Sequence, residues 1–182
     1  MSIASLGKEI QDQTIIINAV SKTYAMTGWR IGYAAGPKDL ISALTKIQTQ
    51  NVTNATAFCQ KASVEALLGT QEPVQKMVTE FDRRRRYIVD RLNRMPGISC
   101  SLPPGAFYVF PNISGLFGKK WQGKPLTNSI EVTDFILEEA KVALVAGVGF
   151  GDDRYMRLSY ATSMKNIETA MNRLEEAVKK LQ

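Results

Sequence analysis

Ser21-Lys22-Thr23-Tyr24-Ala25-Met26-Thr27-Gly28-Trp29-Arg30-Ile31-Gly32-Tyr33 is the stretch on which the reading of this 182-residue chain turns. It follows a β-branched run, Thr14-Ile15-Ile16-Ile17-Asn18-Ala19-Val20, whose pattern predicts a strand buried on both faces. Lys22 therefore stands at a strand end, and Arg30 follows eight residues later, beyond the Thr27-Gly28 turn. Val20, Tyr24, Ala25 and Met26 flank the lysine, so it is expected to lose solvation, which lowers the pKa of an amine. A neutral amine can condense with an aldehyde, and a guanidinium fork can hold a phosphate. Together they are the minimum equipment for anchoring a phosphorylated aldehyde.

Outward from this stretch, Arg30 to Gly36 reads as a second strand closed by Pro37, and Lys38 to Gln50 as a helix with Leu40, Ile41, Leu44 and Ile47 on one face. A further helix is expected from Ala55 to Leu68, stopped by Gly69. Pro73 opens a long amphipathic helix that ends at Met95, before Pro96-Gly97. The second half alternates: strands at Ile98–Leu102 and Ala106–Phe110, a loop over 111–128, a helix over Ser129–Ala140, strands at Val142–Ala146 and Tyr155–Tyr160, and a C-terminal helix capped by Ser163. The alternation predicts that this half is a compact α/β or α+β lobe.

Composition narrows the chemistry. There is no histidine, so Ser-His-Asp and Cys-His machinery and histidine metal ligands are excluded. Cys59 and Cys100 are far apart and lack zinc-site spacing, which leaves no metal site expected and fits two free core cysteines of a reducing cytosol. The net charge of +6 suits anionic ligands without demanding nucleic acid. No stretch is apolar enough to span a bilayer, and residues 1–20 carry Lys8, Glu9 and Asp12, unlike a secretory signal. The expectation is a soluble, cytoplasmic protein. Arg83-Arg84-Arg85-Arg86 invites a nucleic-acid reading, but consecutive helical residues point about 100° apart and form a girdle. Glu80, Asp82 and Asp90 stand four residues before Arg84, Arg86 and Arg94, so a salt-laced solvated helix is the preferred reading.

Residues 21–33 resemble the lysine segment of class I pyridoxal-phosphate-dependent aminotransferases, most closely the bacterial aspartate aminotransferase branch. Pro104-Gly105-Ala106-Phe107-Tyr108 resembles that family's small-domain segment near the substrate, and Tyr155-Met156-Arg157-Leu158-Ser159-Tyr160-Ala161-Thr162-Ser163 its carboxylate-arginine segment. The resemblance implies pyridoxal 5′-phosphate as cofactor, and amino-acid and 2-oxo-acid substrates. Lys22 matches the lysine that condenses with the cofactor and then moves the substrate proton, and Arg30 the arginine on its phosphate. Arg157 matches the arginine that grips the substrate α-carboxylate, with Phe107 beside the substrate. Ala19 stands where some members carry a phosphate-binding serine.

Members of that family are about twice as long. The resemblance therefore implies the C-terminal part of a fold-type I transferase: residues 1–70 a remnant of the cofactor-binding large domain, 71–96 a bridging helix, and 97–182 the small domain. It further implies a homodimer in the full-length parent, no nucleic-acid or membrane partner, and a chain not competent for transamination alone. Another fold-type I enzyme, such as a carbon–sulfur lyase, and a non-catalytic interaction module are the alternative readings.

Overall fold

The structure, a computed structural model, describes residues 2–181. Helix α1 (Lys8–Asp12) leads into strand β1 (Ile16–Ala19), which pairs antiparallel with β2 (Gly32–Ala35), Ile16 opposite Ala35 and Ala19 opposite Gly32. The β-branched run does form a strand, but the expected burial on both faces is not found. Ile17 is 83% exposed and β2 is exposed along its length, whereas Val20, just past the strand, is buried. The physical reason is the sheet itself: β1 and β2 form a two-stranded ladder, and burial on both faces requires a layer on each side.

Helix α2 (Lys38–Val52) starts behind Pro37, with Asp39 placed favourably in its first turn. Its expected apolar face is present in the sequence but Leu40, Leu44 and Ile47 are exposed. Helix α3 (Ala57–Leu68) buries Cys59 and Ser63. Gly69 ends it through its N–H to the Glu65 carbonyl at 2.8 Å. Its φ of −76° is ordinary, so glycine is required there by crowding: a Cβ would sit 2.6 Å from the same carbonyl oxygen.

Helix α4 (Glu72–Asn93) follows, and within it, between Lys76 and Met77, the chain divides into two compact units. In the second unit α4 buries Ile88, Val89 and Leu92. The arginine girdle is ion-paired: Glu80 with Arg83 and Arg84, Asp82 with Arg85 and Arg86, and Asp90 with Arg94. Hydrogen bonds from Arg83 and then Arg84 hold the Glu80 carboxyl at about 2, far below its ordinary value. The cationic surface is thereby matched by acids on its own helix.

Beyond α4, the expected strand at 98–102 reduces to one bridge, Ser99 to Asn112. The Asn93 side chain clamps this segment, accepting from the Cys100 N–H and donating to its carbonyl, and those bonds occupy groups a sheet would use. Burial pushes the Cys100 thiol up to about 11, consistent with an inert core residue. Strand β3 is only Tyr108–Val109. The region expected as loop holds a hairpin, β4 (Lys120–Trp121) and β5 (Lys124–Pro125), turned by Gln122 and Gly123 at φ 51° and 79°. Both central residues with positive φ make a mirror-type turn, and glutamine is not the residue that normally signals one.

Helix α5 (Ser129–Ala140) is capped by Asn128, and strand β6 (Val145–Ala146) is shorter than its apolar run. Strand β7 (Met156–Ser159) lies between β3 and β6, antiparallel to both. Helix α6 (Met164–Lys179) is capped by Ser163. Val109, Met156 and Leu158 of the sheet, Val132, Phe135 and Ile136 of α5, and Ile167, Met171 and Leu174 of α6 form one buried core with Leu92. Each such side chain contributes roughly 1.5–3 kcal/mol when fully removed from water. This core is the platform on which β7 presents its outward residues.

Candidate functional site

The first pair of candidates lies on the connection between β1 and β2. Val20 and Met26, both buried, anchor its ends. Between them Tyr24 N–H bonds the Val20 carbonyl at 3.2 Å and Ala25 N–H the Lys22 carbonyl at 3.3 Å. A 3-10 turn, Thr27–Trp29, then delivers Arg30. Ala25 and Arg30 both sit at left-handed φ, 54° and 53°. Such backbone costs on the order of 1–3 kcal/mol per non-glycine residue and is concentrated at functional segments. The Arg30 guanidinium donates to the Thr27 carbonyl at 2.9 Å, which folds the side chain back over its own turn.

Lys22 is exposed, contrary to the desolvated setting its neighbours suggested. The apolar flank is real, but Val20 and Met26 turn inward, Ser21 and Tyr24 are half-buried, and Lys22, Thr23 and Ala25 are exposed. Trp29 meets the edge of Phe58, ring centroids 6.3 Å apart. The donor set, an amine and a guanidinium presented outward from one segment, fits a phosphorylated aldehyde.

The second pair lies in the other unit. Along β7 the burial alternates, Met156 and Leu158 inward and Arg157 and Ser159 outward. The Arg157 guanidinium lies over two rings, Tyr108 and Phe150, each centroid 4.4 Å from its central carbon. No carboxylate among the described residues is ion-paired with it. A guanidinium backed by aromatic rings and free of an acidic partner can offer a carboxylate two parallel N–H bonds.

Phe107 is half-buried against the core, and its ring meets that of Tyr108 at a tilt, centroids 4.4 Å apart, so it touches the Arg157 surroundings only through Tyr108. Its carbonyl accepts from Tyr160 N–H at 2.9 Å, and the Tyr160 hydroxyl donates to the Ala106 carbonyl at 2.9 Å. Ala106 itself is at φ 64°, and these two bonds from one buried residue hold the strained corner that leads into Phe107.

Lys22 and Arg30 thus lie on one connection of the first unit, while Arg157 and Phe107 each border the Tyr108 ring in the second. An open cleft of about 370 Å³ in the second unit, lined by Lys141, Leu144, Thr162, Asn166 and Arg173 among others, includes none of the four. Tyr108, Phe150 and Tyr160 were missed by sequence reasoning. The signal for Phe150 was present, an aromatic inside the glycine-rich loop Gly147 to Asp153. Tyr108 and Tyr160 stand inside two of the segments that carry the resemblance, but neither was marked there as a site residue.

A family model for aminotransferase class I and II matches residues 2–174 of the chain. This chain belongs to that family. It is 47% identical, over 96% of its length, to the aspartate aminotransferase of Geobacillus stearothermophilus, and covers 43% of that relative. It is 44% identical to an asparagine–oxo-acid transaminase of Streptococcus mutans, over 98% of the chain and 44% of the relative. Among solved structures, the aspartate aminotransferase of Rhizobium meliloti superposes with a TM-score of 0.93 at 40% identity, over 98% of this chain and 45% of that one. The chain therefore spans less than half the length of the relatives it matches, and corresponds to the C-terminal portion of a fold-type I aminotransferase. Pyridoxal 5′-phosphate is the cofactor of this family.

Proposed function

We propose that this chain is the part of a pyridoxal-phosphate-dependent aminotransferase that carries the reactive lysine and the substrate-carboxylate arginine. The reaction moves an amino group between an L-amino acid, aspartate favoured, and a 2-oxo acid. The observation that carries this reading is the Arg157 guanidinium, packed on two aromatic rings without an ion-pair partner among the described residues, on the same chain as the exposed Lys22–Arg30 segment. The aspartate aminotransferase relatives support aspartate as donor and do not favour the lyase or interaction-module alternatives.

Bound pyridoxal phosphate would supply an aldehyde and an electron-withdrawing ring. Lys22 would hold it through the ε-amine and, once released by substrate, take the proton from the substrate Cα. Arg30 would hold the phosphate with the N–H groups not directed at Thr27. Arg157 would bind the α-carboxylate in its plane, which fixes the direction of the Cα–H bond. Phe107 and Tyr108 would wall the same face. The groups that contact the cofactor ring belong to the part of the family fold outside this match, so the chain by itself would not turn over. In the longer protein we expect a homodimer without nucleic-acid or membrane partners. A cytoplasmic location agrees with two free cysteines and with the finding that no described helix is long and apolar enough to cross a membrane.

The test is to add pyridoxal phosphate to the chain, reduce with borohydride and map the adducts by mass spectrometry. Lys22 should be labelled in preference to the other exposed lysines, and Arg30→Ala should remove that preference. Labelling spread evenly over the lysines would overturn the assignment. Rapid transamination of aspartate and 2-oxoglutarate by the pure chain would overturn the claim that it is inactive alone.

A further inference from the structure

Three side chains among the described residues are polar and buried, Ser63, Thr133 and Ser129. The hydroxyls of the first two donate to carbonyls of their own helices, Cys59 and Ile130. Ser129 differs. Its N–H and its hydroxyl both donate to Oδ1 of Asp153, at 2.9 and 2.6 Å, and its oxygen accepts from Val148 N–H at 3.2 Å. Helix α5 does not need this residue as a cap, because Asn128 accepts from Glu131 N–H and Glu131 reaches back to Thr127. The polar groups of Ser129 are therefore directed out of the helix, at the loop that follows β6.

That loop begins with the 3-10 turn Gly147–Phe150, whose last residue lays its ring over Arg157. Phe150 is 48% exposed, so burial alone does not hold it there. Its ring meets Phe110 edge-on, centroids 6.0 Å apart, and the backbone of the turn carries it to that place. Gly147 N–H bonds the Tyr155 carbonyl at 2.9 Å, and a Cβ on Gly147 would lie 2.3 Å from that oxygen, so the base of the turn admits glycine only. The first N–H groups of a helical turn have no partner within it. Here the Val148 N–H finds the Ser129 oxygen, and Asp153 ties the far end of the loop to the same serine.

We propose that Ser129 and Asp153 are positioning residues: they hold the Gly147–Phe150 turn so that the Phe150 ring stays against the Arg157 guanidinium and backs it for a substrate carboxylate. The inference rests on the reading of Arg157 as a carboxylate site and adds residues that never touch the ligand. Losing one of two stacked rings should weaken carboxylate binding about two- to fivefold.

The test follows the Arg157 side-chain signals of the full chain by NMR, with succinate as the carboxylate probe. In the wild type, Tyr108 and Phe150 both shift the Arg157 protons upfield, and Phe150→Leu marks the Phe150 share. Ser129→Ala and Asp153→Ala should each lose that share and bind succinate two- to fivefold more weakly. Asp153→Asn, which keeps Oδ1 as an acceptor for both Ser129 donors, should retain both properties. A structural role alone would not separate asparagine from alanine in this way, and the Trp121 indole resonance reports whether each variant is folded. Unchanged Arg157 shifts in the folded alanine variants would overturn the positioning role. A wild-type chain whose Arg157 signals ignore succinate would instead overturn the carboxylate reading, whatever the variants do.

Discussion

Replacing Tyr160 by phenylalanine removes one oxygen atom from the second unit and leaves the ring in place. Tyr160 is 1% exposed, and its hydroxyl has one partner, the Ala106 carbonyl at 2.9 Å. A hydrogen bond of this kind contributes about 0.5–1.5 kcal/mol net. Ala106 is exposed, so water can reach its carbonyl in the variant, which places the expected loss near 1 kcal/mol. For a unit of this size that corresponds to a melting shift of about 4–8 °C. The loss should depend on pH in a defined direction. Burial pushes the Tyr160 phenol above its ordinary value of 10.0, an effect Arg85 opposes and Asp82 reinforces. A raised folded pKa means that the folded state holds the proton more tightly. The associated stability is complete below 10.0 and is lost as pH rises through the folded value. Tyr160→Phe lacks this term, so its deficit relative to the wild type should be constant up to about pH 10 and shrink above it. Thermal denaturation followed by Trp121 fluorescence in a Trp29→Phe background reports this unit alone. A variant as stable as the wild type at neutral pH, or a deficit that grows in alkali, would refute the reasoning.

Two further perturbations test the frame around the site. Because Arg83 and Arg84 hold Glu80 at about 2, the stabilisation of α4 by that carboxylate is present above its ordinary 4.5 and lost as pH falls through about 2. Glu80→Gln should therefore be less stable than the wild type at neutral pH and converge with it in acid, as read by helical circular dichroism. A difference that persists to pH 2 would count against the ion pairs. Gly97→Ala places a Cβ 2.7 Å from the Gly115 carbonyl at a φ of 82°. The left-handed backbone alone costs roughly 1–2 kcal/mol, so with the clash the urea midpoint should fall by the equivalent of at least about 2 kcal/mol at unchanged m. A variant of wild-type stability would show that the two glycine segments can move apart.

Helices α2, α5 and α6 were legible because their signals are local: Pro37 before the first turn, Asn128 and Ser163 at the caps, and apolar residues at helical spacing. The ion-paired arginine girdle was legible for the same reason, since pairs four residues apart on a helix are neighbours wherever the helix goes. The hairpin at 120–125 was not, because glutamine at positive φ has no sequence mark. The strand at 98–102 failed because the Asn93 side chain, from another element, occupies the backbone groups a sheet would have used.

For the candidate site the division is similar. The order and spacing of the motifs around Lys22, Phe107 and Arg157 were sufficient, from the sequence alone, to place the chain in its family and to nominate the residues proposed for its chemistry. Only the tertiary structure decided their surroundings. It turned Lys22 outward between two buried anchors, packed Arg157 on the Tyr108 and Phe150 rings, and tied the Ala106 corner to Tyr160 and the Gly147–Phe150 turn to the Ser129–Asp153 pair. Motif residues are legible because the chemistry demands their type at a given place along the chain. Their supports are not, because a ring or hydroxyl that holds an arginine in plane can come from any element the fold brings within reach.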